Sequence, residues 1–360
     1  MKFFSGGTVD VTVHQMLEDR RVRELYKATG GAWGGTKVDE AFVNYFCQIF
    51  SMEVIDRLKE QYSADWVEMM REFEQMKRKI SHENQDEFVR MMLRPCIQEV
   101  YQDVMDVNLN SAFRDNNANA TRGAILNRHK LQIPRGVICE MIKQVAKSIS
   151  SHTSFLMKQT EAENLDFIVL VGGFSNSPIV VKQIRDLVGC LPVIVPENAE
   201  LSVVQGAVMF GWRPDVFKSR KSTRTYGISM VSTFRENIDP ERLMFFDDDK
   251  VKKCRSLFDK LVCINEDIDF DQIVTRTYYP VYNDQLEMNI CIYESQESDV
   301  SYCDEPGTTK LGFVKVPMRD VTGNKSRKVE VYVRFGDTEF FVTGKDVTTG
   351  ADVLAKYDFL

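Results

Sequence analysis

The chain has 360 residues, 43% of them hydrophobic, and a formal net charge of −7. That length can bury a sizeable core, in two domains by expectation, and the acidic balance argues against a general nucleic-acid binder. No apolar run reaches membrane-spanning length and no signal peptide is legible, so no membrane partner is expected and the chain reads as cytoplasmic.

The first informative stretch is 5–13, a Gly6-Gly7-Thr8 turn running into an alternating strand with Val9, Val11 and Val13 on one side. Adjacent glycines followed by a hydroxyl let the backbone approach a phosphate closely, and the Asp10 carboxylate can hold water around a magnesium ion. The same residues also suit an ordinary turn. Residues 5–29 read as a strand hairpin with Leu25 to Ala28 on the returning arm, followed by a glycine-rich turn at 30–35.

From Val38 to about Asn108 the pattern is helical, with Phe42, Tyr45, Phe46, Ile49 and Phe50 at core-facing spacing. Further along, Glu74, Lys77, Arg78 and Ser81 share one face of a helix by their three- and four-residue spacing, either as a solvated charged face or as a ligand clasp. Arg94-Pro95 breaks the chain or starts a helix, and 115–119 reads as a surface loop. Ile133-Pro134-Arg135 opens another helix with Val137, Met141, Val145 and Ile149 in register. The dense apolar run 167–171 is a buried strand; Gly172-Gly173 turns the chain, and Ser177 and Pro178 suit the cap and first position of a helix over 178–188. Strand, Gly-Gly, helix start is a general phosphate- or ribose-binding geometry. A short strand at 193–196 and an apolar helix from Leu201 to Trp212 complete this half.

The basic stretch 215–225 reads as a linker. Beyond it come short strands around 228–230, 286–293, 311–316, 329–335, 340–342 and 353–357, punctuated by Pro306-Gly307, Thr322-Gly323-Asn324, Gly336-Asp337 and Thr349-Gly350, which argues for a β-sandwich or barrel. The eight cysteines include no C-x-x-C pair and read as reduced thiols, with a Cys254–Cys263 bridge left open; the four histidines do not cluster into a metal site.

Taken in order, these segments resemble the heat-shock-70 family of ATP-driven chaperones, in its divergent type-12 branch. The stretch 5–13 resembles the family's second phosphate loop, and the helix carrying Glu74, Lys77, Arg78 and Ser81 resembles its adenosine-clasping helix. Gly172, Gly173 and Phe174 fall on its adenosine loop, with Asn176 where Arg is usual, and Glu200 matches an acidic position before the closing helix. The resemblance implies an α+β fold: a partial actin-like ATPase domain over 1–214, mainly its second lobe with a helical subdomain inserted at 38–110, a linker at 215–225, and a β-sandwich-like peptide-binding domain without helical lid over 226–360.

It further implies nucleotide contacts from Gly6, Gly7, Thr8, Glu74, Lys77, Arg78, Ser81, Gly172, Gly173, Phe174, Asn176 and Glu200, with ATP or ADP and Mg2+ as cofactors. Thr8 and Asp10 hold the catalytic positions, and Asp10 also serves the metal, through water. An unfolded peptide or protein client is the implied partner.

Departures from the family pattern imply negligible hydrolysis. Phe3 stands at the place of an Asp, the lysine-bearing first phosphate loop has no counterpart, and the chain reads as N-terminally truncated. The face carrying Leu201, Val204, Val208 and Phe210 is then expected to lack its packing partner and to form an exposed apolar patch. The alternative reading is a nucleotide-independent module that binds peptides or a protein partner.

Overall fold

A computed structural model describes residues 2–4, 6–81, 86–115, 122–159, 164–335 and 339–358. The chain divides into two compact units, one made of 1–13 and 28–209, the other of 14–27 and 210–360.

Unit 1 is mixed. Its strands are β1 (Lys2–Phe4), β2 (Val9–Met16) and β3 (Val22–Gly31), the hairpin expected at 5–29. The tip of that hairpin groups with unit 2. Then follow α1 (Gly35–Phe50), α2 (Met52–Gln61), α3 (Ser63–Lys79), β4 (Phe88–Met92), α4 (Pro95–Met105) and α5 (Leu109–Asp115). After them come β5 (Ile125–Asn127), β6 (Lys130–Pro134), α6 (Arg135–Leu156), β7 (Ile168–Val171), α7 (Pro178–Val188), β8 (Val193–Ile194) and α8 (Ser202–Trp212). Strand β1 lies between β2 and β7: Phe3 pairs antiparallel with Asp10, and Lys2 parallel with Leu170. Because β1 is paired on both sides, the turn after it and the turn after β7 emerge side by side.

Local signals account for most of these elements. Val9, Val11 and Val13 are all buried, as alternation requires. Pro95 and Pro178 each begin a helix, where a missing N–H costs nothing. On α1, Val38, Phe42, Tyr45, Phe46 and Phe50 form the buried stripe, and the Phe42 ring stacks on Phe73 of α3 with centroids 3.7 Å apart. Each such ring, fully buried, stabilises the unit by about 1.5–3 kcal/mol.

Three details depart from the sequence pattern. A strand, β4, interrupts the helical run and pairs with β6, its Met91 facing the core. On α6 the buried stripe is Ile138, Met141, Ile142, Ala146 and Ile149, so Val137 and Val145 sit at its margin. The exposed Phe167 lies outside β7. The loop expected at 115–119 lies outside the described residues, apart from the end of α5.

Unit 2 is β-rich. Its strands are β9 (Phe217–Lys221), β10 (Thr225–Thr233), β11 (Met244–Phe246), β12 (Lys252–Val262), β13 (Asp267–Asp269) and β14 (Ile273–Tyr278). The remaining strands are β15 (Glu287–Ser295), β16 (Thr308–Pro317), β17 (Val329–Phe335), β18 (Glu339–Asp346) and β19 (Asp352–Asp358). The five-stranded sheet β11-β12-β10-β15-β16 and the four-stranded sheet β14-β17-β18-β19 enclose one core, in which Ile228, Ile290 and Val314 meet Val331, Val333 and Phe340. Much of 215–225, read from the sequence as a linker, is strand β9, which pairs with β13 and with Val22 and Arg23 of β3. The Gly336-Asp337 turn lies outside the described residues. Cys254 and Cys263 are both free thiols, which closes the possibility of a bridge between them.

Two features of the surface bear on function. No described helix is long and apolar enough to cross a membrane. Helix α8 buries none of its residues: Leu201 just before it, Val204 and Val208 are exposed, Val208 at 70% and Trp212 at 85%. Phe210 differs from the other three residues of that expected patch. It is half-buried, edge-on to Phe217 at 5.8 Å, with the Arg220 guanidinium over its ring.

Exposure of this kind makes a direct prediction. Val204→Lys and Val208→Lys should change unfolding free energy by no more than about 0.5 kcal/mol, since neither side chain leaves a packed environment. Phe46→Ala, at a fully buried position, should cost about 3–5 kcal/mol. Urea melts of the three variants measure both.

Candidate functional site

The site is built around one lysine. Met69, Phe73 and Lys77 recur every four residues on α3 and all three are buried, so Lys77 sits on the apolar face of its helix at 3% exposure. A buried ammonium must be paired. Its Nζ lies 2.8 Å from an Asp39 carboxylate oxygen on α1 and 2.5 Å from Glu74 one turn earlier, and it donates to the Gly35 carbonyl at 3.2 Å. The Phe73 and Phe174 rings lie 6.0 Å from it. Arg78, more exposed, pairs with the other oxygen of Glu74 at 2.9 Å.

The two carboxylates respond differently. Burial raises the pKa of Asp39, and the Lys77 hydrogen bond offsets this only in part. Burial also acts to raise Glu74, but hydrogen bonds from Lys77 and Arg78 outweigh it and leave Glu74 below the usual carboxylate range.

Around this lysine lies a cavity of about 230 Å³. Helix α3 contributes Glu74, Lys77 and Arg78, and the start of α1 contributes Gly35, Thr36 and Asp39. The turn after β1 contributes Gly6, and the turn after β7 contributes Gly173, Phe174 and Ser177. Backbone bonds hold the first turn in place: Thr36 N–H donates to the Gly6 carbonyl at 2.7 Å and Gly34 N–H to that of Gly7 at 3.2 Å. Gly30 lies against this hairpin so tightly that a Cβ there would collide with the Val9 carbonyl. In the second turn Gly172 has φ of 93°, a conformation that strains any L side chain, and its N–H donates to Ala199 at 2.6 Å.

Of the residues singled out from sequence, Gly6, Glu74, Lys77, Arg78, Gly173 and Phe174 thus line one cavity. Ser81 and Asn176 line a neighbouring one of about 550 Å³, where Asn176 donates to Glu200 at 2.9 Å. Gly7, Thr8, Asp10, Gly172 and Glu200 line neither; the Thr8 hydroxyl donates to the exposed Asp10 carboxylate at 3.1 Å. Ser81 does not share a helical face with Lys77, because α3 ends at Lys79; the Ser81 carbonyl accepts from Arg135 at 2.9 Å. No group of three or more His, Cys, Asp or Glu side chains able to hold a metal occurs among the described residues.

Sequence reading missed Asp39 and Ser177. The four-residue spacing of Met69, Phe73 and Lys77 was the available signal for the first, since a lysine on a buried stripe needs a carboxylate. Ser177 stands at the N-cap position of α7, yet its hydroxyl makes no capping bond. It is 1% exposed, its Oγ has no partner among the described residues, and it lines the cavity. A buried hydroxyl left unpaired costs free energy.

Two glycine turns, the start of α1 and the polar end of α3 thus open on one cavity. By sequence the chain is a relative of the heat-shock-70 proteins of the type-12 branch. Heat shock 70 kDa protein 12A of Mus musculus is 31% identical over 365 residues, covering 99% of this chain and 53% of the relative. Heat shock 70 kDa protein 12A of Homo sapiens is 30% identical over 362 residues and protein 12B of Homo sapiens 29% over 366, with the same coverage. The chain therefore spans about half the length of the curated relatives it matches. No family model matches it.

The split between the two carboxylates predicts opposite pH signatures. Glu74, with its pKa lowered in the folded state, contributes stability that is present above its ordinary value of 4.5 and lost as pH falls through the folded value. The penalty of Glu74→Gln should therefore shrink as pH drops below that value. Asp39, raised from 3.8, contributes stability that is lost as pH rises through its folded value, so the penalty of Asp39→Asn should shrink in the other direction. Urea midpoints followed from pH 3.5 to 7 test the pair. Lys77→Met should lower the urea midpoint at pH 7, since Asp39 loses its ion pair and Glu74 keeps only Arg78.

Proposed function

We propose that unit 1 binds an adenine nucleotide in the cleft around Lys77, and that the chain is a heat-shock-70-type, chaperone-like protein with a partial actin-like ATPase domain. The observation that carries this reading is the convergence of Gly6, Asp39, Glu74, Lys77, Arg78, Gly173 and Ser177 on one cavity from four separate segments. Adenosine and ribose take the side of Glu74 and Arg78 over the Gly172-Gly173 turn, where a guanidinium can stack on a base and a carboxylate can accept from a hydroxyl. Phosphates take the side of Gly6, Gly7 and Thr8, where the Gly6 and Gly7 carbonyls already accept from Thr36 and Gly34 and a glycine-rich backbone can approach an anion closely. Mg2+ bound with the nucleotide would neutralise phosphate charge, and Asp10 is the carboxylate able to hold its water shell.

Hydrolysis by this chain is negligible in this reading. Phosphoryl transfer rests on positioning and on unpaired positive charge near the transferred group. The two cations that line the cleft, Lys77 and Arg78, are both committed to carboxylates. Thr8 and Asp10 are bonded to each other, and Phe3 stands where the resemblance puts an Asp.

The same neutralised lysine favours a second reading, a nucleotide-independent module. In either case the β-rich unit supplies the surface for an extended peptide or a protein client, through backbone hydrogen bonds and side-chain pockets.

Calorimetric titration with ADP and with ATP separates the two readings. Weak, saturable ADP binding is expected, reduced about tenfold by Arg78→Ala, which removes an exposed cation rather than a core group. No heat with either nucleotide selects the nucleotide-independent module. Phosphate release should stay at background; clear turnover abolished by Thr8→Ala or Asp10→Ala overturns the claim of negligible hydrolysis.

A further inference from the structure

Helix α8 carries no charged residue from Ser202 to Trp212, and none of its residues is buried. A helix this apolar is ordinarily covered. Leu201, Val204, Val208 and Trp212 recur at steps of three, four and four, so they form one stripe along it. Their exposure rises along the stripe, from 48% and 56% to 70% and 85%. At 100° per residue the half-buried Phe210, edge-on to Phe217, falls on the opposite side of the helix. The stripe is therefore the outward face of α8.

Area and charge both bear on what covers it. With the exposed Met209 beside it, the stripe leaves roughly 600 Å² in water, at the upper end of what monomers carry. Two such stripes packed together bury about 1,200 Å², the size at which specific interfaces begin. Glu200 stands one residue before the stripe and Arg213 one residue after it, both exposed. Glu200 accepts from Asn176, and Arg213 pairs with Asp215 at 3.4 Å at the surface. Two copies of α8 packed parallel would set Glu200 against Glu200 and Arg213 against Arg213. Packed antiparallel about a two-fold axis, each Glu200 comes to an Arg213, Leu201 to Trp212 and Val204 to Val208. Such a stripe is complementary to itself, as an isologous contact requires, and no like charges meet along it.

We propose that the stripe Leu201, Val204, Val208 and Trp212 is a dimerisation surface, closed by α8 of a second copy of this chain packed antiparallel. Side chains spaced by three and four residues form ridges that fit the grooves of a like helix. Burial of the stripe drives the association, and the two pairs of Glu200 with Arg213 at the rim set its direction more than its strength. An interface at the lower size limit gains little beyond the cost of association, so a roughly micromolar dissociation constant is expected. The pairing needs no nucleotide.

Sedimentation equilibrium of the full chain, from well below to well above micromolar concentration, tests the proposal. A single monomer–dimer equilibrium that closes at two copies is expected. Val208→Lys sets two ammonium groups near the axis and should weaken the dimer about a hundredfold. Urea melts at low chain concentration, where the monomer prevails, should show this variant as stable as the parent. Arg213→Glu brings carboxylates together at both ends and should weaken the dimer about tenfold. Adding Glu200→Arg reverses both pairs and should restore it. A chain that stays monomeric throughout, its stripe left to an unlike partner, overturns the proposal. So does assembly that runs on beyond two copies, a dimer that survives Val208→Lys, or a double variant that regains nothing of what Arg213→Glu loses.

Discussion

The polarity of the cleft in unit 1 depends on one buried ammonium. Lys77 lies on the core face of α3, where an apolar residue would pack without electrostatic cost, and is held by Asp39, Glu74 and the Gly35 carbonyl. Removing a charge from water is expensive, and attraction to close partners repays that cost only when the geometry is good. Asp39 and Gly35 are on α1 and Glu74 is on α3, so the arrangement ties together the two helices that the Phe42–Phe73 stack also joins. An apolar pair would join the helices equally well. What the lysine adds is polarity at the floor of a cavity, with directed groups on each side.

The second constraint is strand order. Only because β1 lies between β2 and β7 do the turns at Gly6 and Gly173 open toward the same space. Each turn is then held by backbone bonds to another segment: Gly6 and Gly7 to the residues opening α1, Gly172 to Ala199. Rigid backbone of this kind presents N–H groups without the entropy cost of ordering long side chains.

Unit 2 solves a different problem. Its two sheets bury a largely aliphatic core between them, and the loops are pinned by polar groups. Arg327, almost wholly buried, donates to the carbonyls of Asn283, Gln285, Met318, Asp320 and Asn324, which gathers three chain segments around one planar guanidinium. Asp239 does similar work with Arg235 and Tyr302; hydrogen bonds from Arg235 chiefly hold its carboxyl below the usual range. A sandwich pinned in this way can carry variable surface loops while keeping its register.

Much of this was legible in the sequence because the signals are local. Alternation set β2 and most of the later strands, proline positions set the starts of α4 and α7, and Gly172-Gly173 after a dense apolar run marked the turn after β7. Strands such as β12, where Lys253 and Lys260 interrupt the alternation, and β4, inside a helical run, were not legible, since their strand character comes from the partner they pair with. The same holds for the site. Spacing put Glu74, Lys77 and Arg78 near one another, but could not separate a solvated face from a buried one. Nor could it reveal that Asp39 approaches from another helix, or that the Ser177 hydroxyl has no partner among the described residues. Periodicity is a property of neighbours along the chain; burial and the pairing of charges depend on groups tens of residues away, and only the packed tertiary structure brings those together.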